Sequence, residues 1–534
     1  MPQQTDHAGA SRARLRALLA LTLLLLAACH DRRERGIVIA NLSTEPPNLD
    51  WSRATDHVSF NVISNLMVGL TEFGEGGAIT PMVAESWRIE DEGRRYVFTL
   101  REDARWSDGR PVTAADFVYS WQRILDPATG SEYAYLMYVL RNARAINEGK
   151  LPVESLGVSA PDARTLVAEL EAPSAFFLSL TTFEITFPLR RDVVEKHGAA
   201  WTEPGKLISN GPYVLTRWDH ESVMEFGANP HYFGPAAPTP RARLLMIPEK
   251  TTAMTLYDRG ELDVMDNHSL DPLDIPQYEN DPRFERVPQL RGYYYGINVS
   301  RPPFDDVRVR RAFAHAIDRS IFPKILRGSE WPTSSWIPKG MFAFNEDIGL
   351  KFDPDKARAL LAEAGYPGGK GFPTVTAMFN TAEHHALIAQ ALQAQWRENL
   401  GVEVSIANME WKVFLDKLQN DPPQMFRMGW GADYPDPDNF MNLFTSYSGN
   451  NKGRWKNARY DALVEQAARE LDPQKRRDMY DELQRILLED DAAIIPLFNV
   501  TENTIAQPWA EGFHLSAMAR LPLYRVRLIE EKMP

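Results

Sequence analysis

The sequence predicts an α/β protein, because helix-like and strand-like patterns alternate along most of its 534 residues. Tyr96, Phe98 and Leu100 alternate with less bulky residues within residues 95–101, which is typical of a strand. A helix pattern follows, and the same kind of interleaving recurs around residues 383–407. With 44% hydrophobic residues, a chain of this length can bury more than one core, so we expect two or three domains.

The helix after the first strand is marked at both ends. Thr113 and Asp116 have the spacing of a capping box, and Asp126-Pro127 ends the pattern. Its apolar face is Phe117, Val118, Trp121, Ile124 and Leu125. Similar signals predict helices over 355–364, 383–400 and 472–489, the first two closing on Gly365 and Gly401, and strands over 293–298 and 402–407.

The N-terminus has the pattern of an export signal. Three arginines precede an apolar run over 17–28, which at about 12 residues is too short to span the ~30 Å core of a bilayer. We therefore assign 1–28 to a signal peptide and exclude it from the fold. Leu26-Ala27-Ala28-Cys29 resembles a bacterial lipobox, which predicts lipidation of Cys29 and a polar tether over 29–36; the alternative is an ordinary signal peptide with a chance cysteine.

The cysteine count and the net charge limit which bonds and partners the protein can have. Cys29 is the one cysteine, so no disulfide can form within the chain. The formal net charge is −13, and loss of the arginine-rich leader would make the mature protein more acidic, which does not suggest a nucleic-acid binder. We expect a monomer exported to the periplasmic or cell-surface side and held to the membrane by a lipid anchor.

One short segment, residues 426–437, carries a cation, an aromatic ring and a carboxylate. Arg427 and Asp433 are six residues apart, so in extended chain their Cα atoms would lie up to ~20 Å apart, the scale of a short extended peptide. Gly429 and Gly431 leave backbone uncovered, so another strand could approach, with Trp430 flanking it. The alternative is a structural or solvated Arg–Asp pair beside a tight turn.

Several blocks together resemble the family 5 extracytoplasmic solute-binding proteins, and most of all their oligopeptide-binding branch, which serves ABC importers. The specific block is residues 104–123, and 84–87 fits the same signature. The further matching blocks, in family order, are 293–298, 303–308, 360–365, 399–402 and 429–434. The resemblance covers essentially the whole mature chain.

This resemblance implies a two-lobed periplasmic binding protein fold of the class II type with an extra domain, in which the ligand is enclosed between the lobes. Lobe I would be discontinuous, the extra domain would pack on it, and strands near Leu290 and Thr504 would form the hinge. The implied bounds are 37–68, 193–290 and 505–534 for lobe I, 69–192 for the extra domain and 291–504 for lobe II.

The resemblance also implies roles for single residues. Asp433 matches the carboxylate that takes the α-ammonium of a peptide, and Arg427, His385 and Arg327 match basic groups that take its C-terminal carboxylate. Tyr133 and Trp430 match aromatic residues of the pockets. The strands that pair with the peptide backbone match Thr55, Asp56 and His57 on one side and Gly429 to Gly431 on the other.

The chain departs from the family at three places. A basic position used for the shortest peptides is Leu418, which puts dipeptide binding in doubt. The relatives' disulfide would join Arg291 and Gly431, so both of its cysteines are absent. Thr55 replaces an acidic residue, with Asp56 beside it.

The sequence gives little support for a metal site, a catalytic site or a cofactor. His384 and His385 are adjacent and should point apart on a helix, with no second ligand cluster evident, so no metal is predicted. No nucleophile elbow, zincin motif or P-loop occurs, so we predict neither catalysis nor a cofactor.

The leading hypothesis is therefore a substrate-binding lipoprotein that captures short oligopeptides and delivers them to an ABC permease with its ATPase subunits. Alternatives are a binding protein for another solute, such as a murein peptide, a dipeptide, haem or a nickel chelate, and a secreted peptide hydrolase.

Overall fold

The computed structural model describes residues 36–74, 78–266, 270, 274–327 and 330–533. The predicted signal peptide and the predicted lipidation site Cys29 lie outside these ranges. Within them, no helix is long and apolar enough to cross a membrane.

Three main sheets organise the chain, which confirms the predicted α/β class. The first has the strand order Ile37–Asn41, Arg241–Leu245, Val223–Ala228 and Tyr213–Asp219. The second, antiparallel, has the order Ala84–Glu90, Arg95–Leu100, Thr165–Glu169 and Val158–Ser159. The third is mixed, with the order Glu330–Pro332, Ile494–Ile505, Phe284–Ile297, Met425–Gly431, Val375–Asn380 and Val404–Met409. The three sheets fall largely within the segments expected for lobe I, the extra domain and lobe II.

Short strand pairs and helices cover these sheets. The small pairs are Thr71–Phe73 with Ile79–Pro81 and Ala510–Glu511 with Arg527–Leu528. The α-helices of eight or more residues in the described ranges are His57–Leu66, Ala114–Leu125, Lys250–Asp258, Val307–His315, Pro354–Glu363, Glu383–Leu400, Trp411–Asn420, Ala458–Arg469 and Pro473–Arg485.

Sequence signals near the ends of several of these elements predicted their bounds correctly or within two residues. Helix Ala114–Leu125 begins where predicted, and the Asp116 carboxylate accepts from both the backbone N–H and the hydroxyl of Thr113, at 2.8 and 3.0 Å. Helix Glu383–Leu400 ends at Gly401, whose φ of +70° is the left-handed conformation that favours glycine. The strand predicted over 402–407 begins two residues later, at Val404.

Two long antiparallel strands, Phe284–Ile297 and Ile494–Ile505, join three hydrophobic cores; we call them the long strands. At one end Phe284 pairs with Ile505, which packs in a core with Ile39 and Tyr257 of the expected lobe I. At the other end Gly296 pairs with Ile494, and the neighbouring residues pack in the cores of the expected lobe II. The expected lobe boundaries, near 290 and 504, therefore fall inside a continuous strand pair.

The segment expected for the extra domain also contacts the segment expected for lobe II, away from the long strands. The rings of Phe176 and Tyr434 stack with centroids 5.1 Å apart, and the Ser179 hydroxyl lies 3.4 Å from Asp436. Asp436 forms a bidentate pair with Arg476, with distances of 2.7 and 2.9 Å, and both side chains are buried. A buried charge needs such a partner, because desolvation is otherwise uncompensated.

We expect Asp436→Asn to lower the free energy of unfolding by about 3–5 kcal/mol, because the buried guanidinium of Arg476 would lose its carboxylate. Urea unfolding followed by circular dichroism measures this. The matched control is Glu482→Gln, which breaks the solvent-exposed pair with Arg459 and should cost at most about 1 kcal/mol. Equal losses in the two variants would contradict the prediction.

Candidate ligand-binding site

Two neighbouring cavities lie where the long strands pass between the lobes. The larger has a volume of about 680 Å³ and the smaller about 240 Å³. Arg291, Gly431 and Glu502 line both cavities, so the two are parts of one cleft. A cleft at a junction between lobes is a common position for a ligand site.

Strand Met425–Gly431, which we call the cleft strand, forms one wall. Arg427, Gly429 and Gly431 share one face by the alternation of a strand, and all three line the larger cavity. One edge of this strand is fully paired with Phe284–Ile297, and Arg291 lies opposite Gly431. The other edge pairs with Val375–Asn380 at Met425 and Phe426; beyond them no strand of the described chain pairs with it.

This open edge can accept a further strand. Backbone N–H and C=O groups there have no ladder partner, and the absence of side chains at Gly429 and Gly431 lets another backbone come close. A guest in extended conformation would gain main-chain hydrogen bonds that do not depend on its side chains.

Asp433 follows the cleft strand and lines the smaller cavity. Its backbone N–H donates to Oδ1 of the buried Asn439 at 3.0 Å, and Asn439 and the Tyr135 hydroxyl approach its carboxylate at 3.3 and 3.4 Å. Burial raises the pKa of Asp433, while these hydrogen bonds oppose the shift. The described residues give this carboxylate no cationic partner, so a cationic ligand group would relieve the cost of its burial.

Arg427 lies on the same wall toward the other end of the cleft. Its guanidinium carbon is 4.6 Å from the ring centroid of Tyr293, and Nη1 donates to Asn380 at 3.2 Å. Its Nε is buried and has no hydrogen-bond partner in the described chain, which also offers it no carboxylate. A rigid guanidinium held on an aromatic face without a counter-ion is suited to bind a carboxylate.

His385 lines the larger cavity beside Arg427, but as a neutral side chain. Burial, with the positive charge of Arg427, lowers the pKa of His385 to about 3. Its Nδ1 lies 3.0 Å from the Tyr293 hydroxyl, so in the tautomer with the proton on Nε2 it can donate one hydrogen bond to an anion. The rings of His384 and His385 are 3.9 Å apart, so the expectation that they point apart was wrong.

The two aromatic residues expected in the pockets, Tyr133 and Trp430, lie in different places. Tyr133 lines the smaller cavity, packs on Phe183 with centroids 5.7 Å apart and approaches the carbonyl of Thr55 at 3.5 Å. Trp430 lies instead on the opposite face of the cleft strand, where its indole N–H donates to Asn439 at 2.8 Å. It therefore supports the Asp433 loop and does not line either cavity.

Of four other expected residues, Thr55, Asp56, His57 and Arg327, two line a cavity and two do not. Thr55 and His57 line the smaller cavity, whereas the Asp56 carboxylate caps helix His57–Leu66 by accepting from Ser59 at 2.7 and 2.8 Å. Asp56 therefore caps the helix, and it is not among the residues that line either cavity. Arg327 is exposed and outside the cavity lining, although its neighbour Leu326 is part of it.

Sequence reasoning missed several residues of the cleft. Tyr135, Asn439 and Asn380 bond to the charged groups, and Arg291 and Trp411 line the cavity. Two signals could have found members of this set: Tyr135 is two residues from Tyr133, and the relatives' disulfide places Arg291 beside Gly431, where the structure has it. In the described residues, no three His, Cys, Asp or Glu side chains are grouped so as to hold a metal ion.

The fold and the cleft define a two-lobed solute-binding protein. The family described as bacterial extracellular solute-binding proteins, family 5 (middle region), matches residues 78–452, and this chain belongs to that family. The family consists of transporter substrate-binding proteins and not of enzymes, so the chain is not an enzyme.

Proteins with similar sequences and similar solved structures support this assignment to the family. The chain is 34% identical to the periplasmic murein peptide-binding protein MppA of Escherichia coli, covering 90% of this chain and 91% of MppA. It is also 34% identical to the probable deoxycholate-binding protein YgiS and to the oligopeptide-binding protein OppA of the same species, over 89–90% of this chain and 90% of each relative.

The unliganded open form of MppA superposes with a TM-score of 0.83 at 33% identity, covering 92% of this chain and 96% of that structure. Haemophilus influenzae OppA in complex with the peptide RPPGFSPFR superposes with a TM-score of 0.67 at 30% identity, covering 93% and 99%.

We expect Asp433→Asn to weaken binding of a free tripeptide at least tenfold, about 1.4 kcal/mol, because the α-ammonium would lose its carboxylate. The raised pKa of Asp433 also predicts that wild-type affinity falls on acidification at a higher pH than for an ordinary aspartate. Calorimetry with a tripeptide and its N-acetylated form tests the role of Asp433, and the same titrations at decreasing pH test the pH dependence. The acetylated form should bind poorly, and equal affinities would contradict this role of Asp433.

We expect Arg427→Met to weaken a tripeptide with a free carboxylate at least tenfold while leaving its C-terminal amide nearly unaffected, because the amide carries no charge for the guanidinium. Calorimetry on both peptides gives the difference. Arg88→Met, which removes an exposed arginine of the extra domain, is the control. Equal losses for acid and amide would show that Arg427 acts on the fold and not on the carboxylate.

Proposed function

We propose that this protein captures short zwitterionic peptides in its cleft and delivers them to an ABC permease. The main support for the proposal is that Arg427 lies on the cleft strand and Asp433 lies two residues after its end, each without a counter-ion in the described chain. A peptide bound as an added strand would place its ammonium at Asp433 and its carboxylate at Arg427. Truncating one partner of such a charge pair typically costs about 2–5 kcal/mol.

The spacing of Arg427 and Asp433 along the cleft limits the length of the peptide that can reach both residues. Asp433 is six residues after Arg427, so their Cα atoms lie at most ~20 Å apart, and closer if the chain bends after the strand ends at Gly431. An extended peptide advances by about 3.3 Å per residue. After allowance for the long arginine side chain, three to five residues fit. Most of the similar proteins are named as peptide-binding proteins, among them OppA and MppA, which supports a peptide as the ligand class.

The present arrangement corresponds to an open form. At similar identities, the TM-score is higher with the unliganded open form of MppA than with peptide-bound OppA. We infer that the long strands act as the hinge. A peptide that contacts both walls stabilises the closed state, and this differential affinity shifts the population toward closure.

The lobe bounds given above, 37–68 with 193–290 and 505–534, 69–192, and 291–504, form part of this proposal. So do export, lipidation of Cys29, a lipid-anchored periplasmic or cell-surface location and a monomeric state. The absence of ATP-binding motifs in this chain is consistent with ATP hydrolysis by separate subunits of the importer.

The name of YgiS raises a second ligand class, the bile acid deoxycholate. Such a ligand could satisfy Arg427 with its carboxylate, but it has no ammonium group for Asp433. The unpaired carboxylate in the smaller cavity therefore favours a peptide.

Native mass spectrometry of the protein as purified tests the proposal. A heterogeneous set of small adducts is expected, because backbone pairing and terminal charges tolerate many side chains. Solution scattering should show a smaller radius of gyration after addition of a tripeptide. A single fixed adduct mass would instead indicate a dedicated ligand, and cleavage of added peptides would indicate a hydrolase.

A further inference from the structure

Arg291 occupies the junction of the two cavities. It lies on a long strand directly opposite Gly431 and lines both the larger and the smaller cavity. Its side chain runs along this glycine: a Cβ at Gly431 would lie 3.8 Å from Cγ and 4.0 Å from Nε of Arg291. Arg291 is exposed to the cleft, and the described chain gives its guanidinium no hydrogen bond or ion pair.

The backbone beside Arg291 is irregular. The register of the long strands shifts between Pro288 and Gly292, so Arg291 pairs with the cleft strand but has no Cα partner on Ile494–Ile505. Bulges of this kind redirect side chains and occur often beside binding sites. Here the irregular stretch lies at the position where the cleft strand faces the ligand space.

Cations from separate segments of the chain line the larger cavity. Its described lining contains three cations, Lys250, Arg291 and Arg427, and two carboxylates, Glu330 and Glu502. Lys250 belongs to the expected lobe I and the two arginines to lobe II. With Arg427 assigned to the peptide's own carboxylate, Arg291 remains available for a second anionic group.

We propose that Arg291 binds a side-chain carboxylate of the peptide and gives the cleft a preference for acidic peptides. This inference rests on the proposed function. Gly431 is two residues before Asp433, about 7 Å of extended chain, so the acidic residue would be the second or third from the peptide's N-terminus. The planar guanidinium can bind such a carboxylate through two parallel hydrogen bonds.

Glu502 is the competing partner, because it also lines both cavities. If Arg291 pairs with Glu502 when the lobes close, it contributes to closure and not to the choice of peptide. This role would affect all peptides alike, which allows the two roles to be distinguished.

The test is calorimetry with the tetrapeptides Ala-Glu-Ala-Ala and Ala-Ala-Glu-Ala and with their Gln counterparts. We expect the wild-type protein to prefer Glu over Gln at least fivefold at one of the two positions. Arg291→Met should reduce this ratio below twofold with less than a twofold change in affinity for the Gln peptides. Arg88→Met is the control and should keep the wild-type ratio, and thermal unfolding midpoints show whether each variant folds.

Two results would overturn the inference. One is a wild-type protein that binds Glu and Gln peptides equally at both positions. The other is an Arg291→Met variant that weakens all four peptides by the same factor, which would assign Arg291 to closure. If none of the four peptides binds the wild-type protein, the proposed function itself fails, and this inference fails with it.

Discussion

The antiparallel pairing of Phe284–Ile297 with Ile494–Ile505 sets the geometry of the whole cleft. These strands begin in one hydrophobic core and end in others, so they fix the lobes to each other at the base of the cleft. One of them also holds the full length of the cleft strand. The pairing of the cleft strand with Phe284–Ile297 places Arg427, Gly429 and Gly431 on the face toward the ligand space and Trp430 on the opposite face.

The same geometry keeps opposite charges apart. Asp433 and Arg427 lie in different cavities, and an extended backbone separates them, so they cannot neutralise each other. Each has polar neighbours that orient it, Asn439 and Tyr135 for the carboxylate, and Asn380 and the Tyr293 ring for the guanidinium. If the proposed function holds, these neighbours hold both charges in place before a zwitterionic peptide binds, which lowers the cost of ordering the site.

Local chemistry made much of the fold predictable. Capping at Thr113 and the left-handed glycine at 401 depend on a few neighbouring residues, so the sequence alone located these helix ends. The charged residues of the cleft strand were also recognisable, because Arg427 and Asp433 lie within one short segment. Family resemblance was needed to connect that segment with Tyr133 and His385.

The remaining features depend on long-range packing. The neutral state of His385 follows from burial beside Arg427, and the role of Asp56 as a helix cap depends on the start of helix His57–Leu66. Asn439 turns toward Asp433 because the chain folds back after the cleft strand. None of these is visible as a spacing pattern, since each is decided by which surfaces meet.

A crystal structure of the protein with a bound tripeptide would show directly whether the cleft holds a peptide as an added strand. We expect an extended peptide paired with the open edge of the cleft strand, its ammonium at Asp433 and its carboxylate directed toward Arg427. A peptide bound in the reverse direction, or bound away from Gly429 and Gly431, would contradict it.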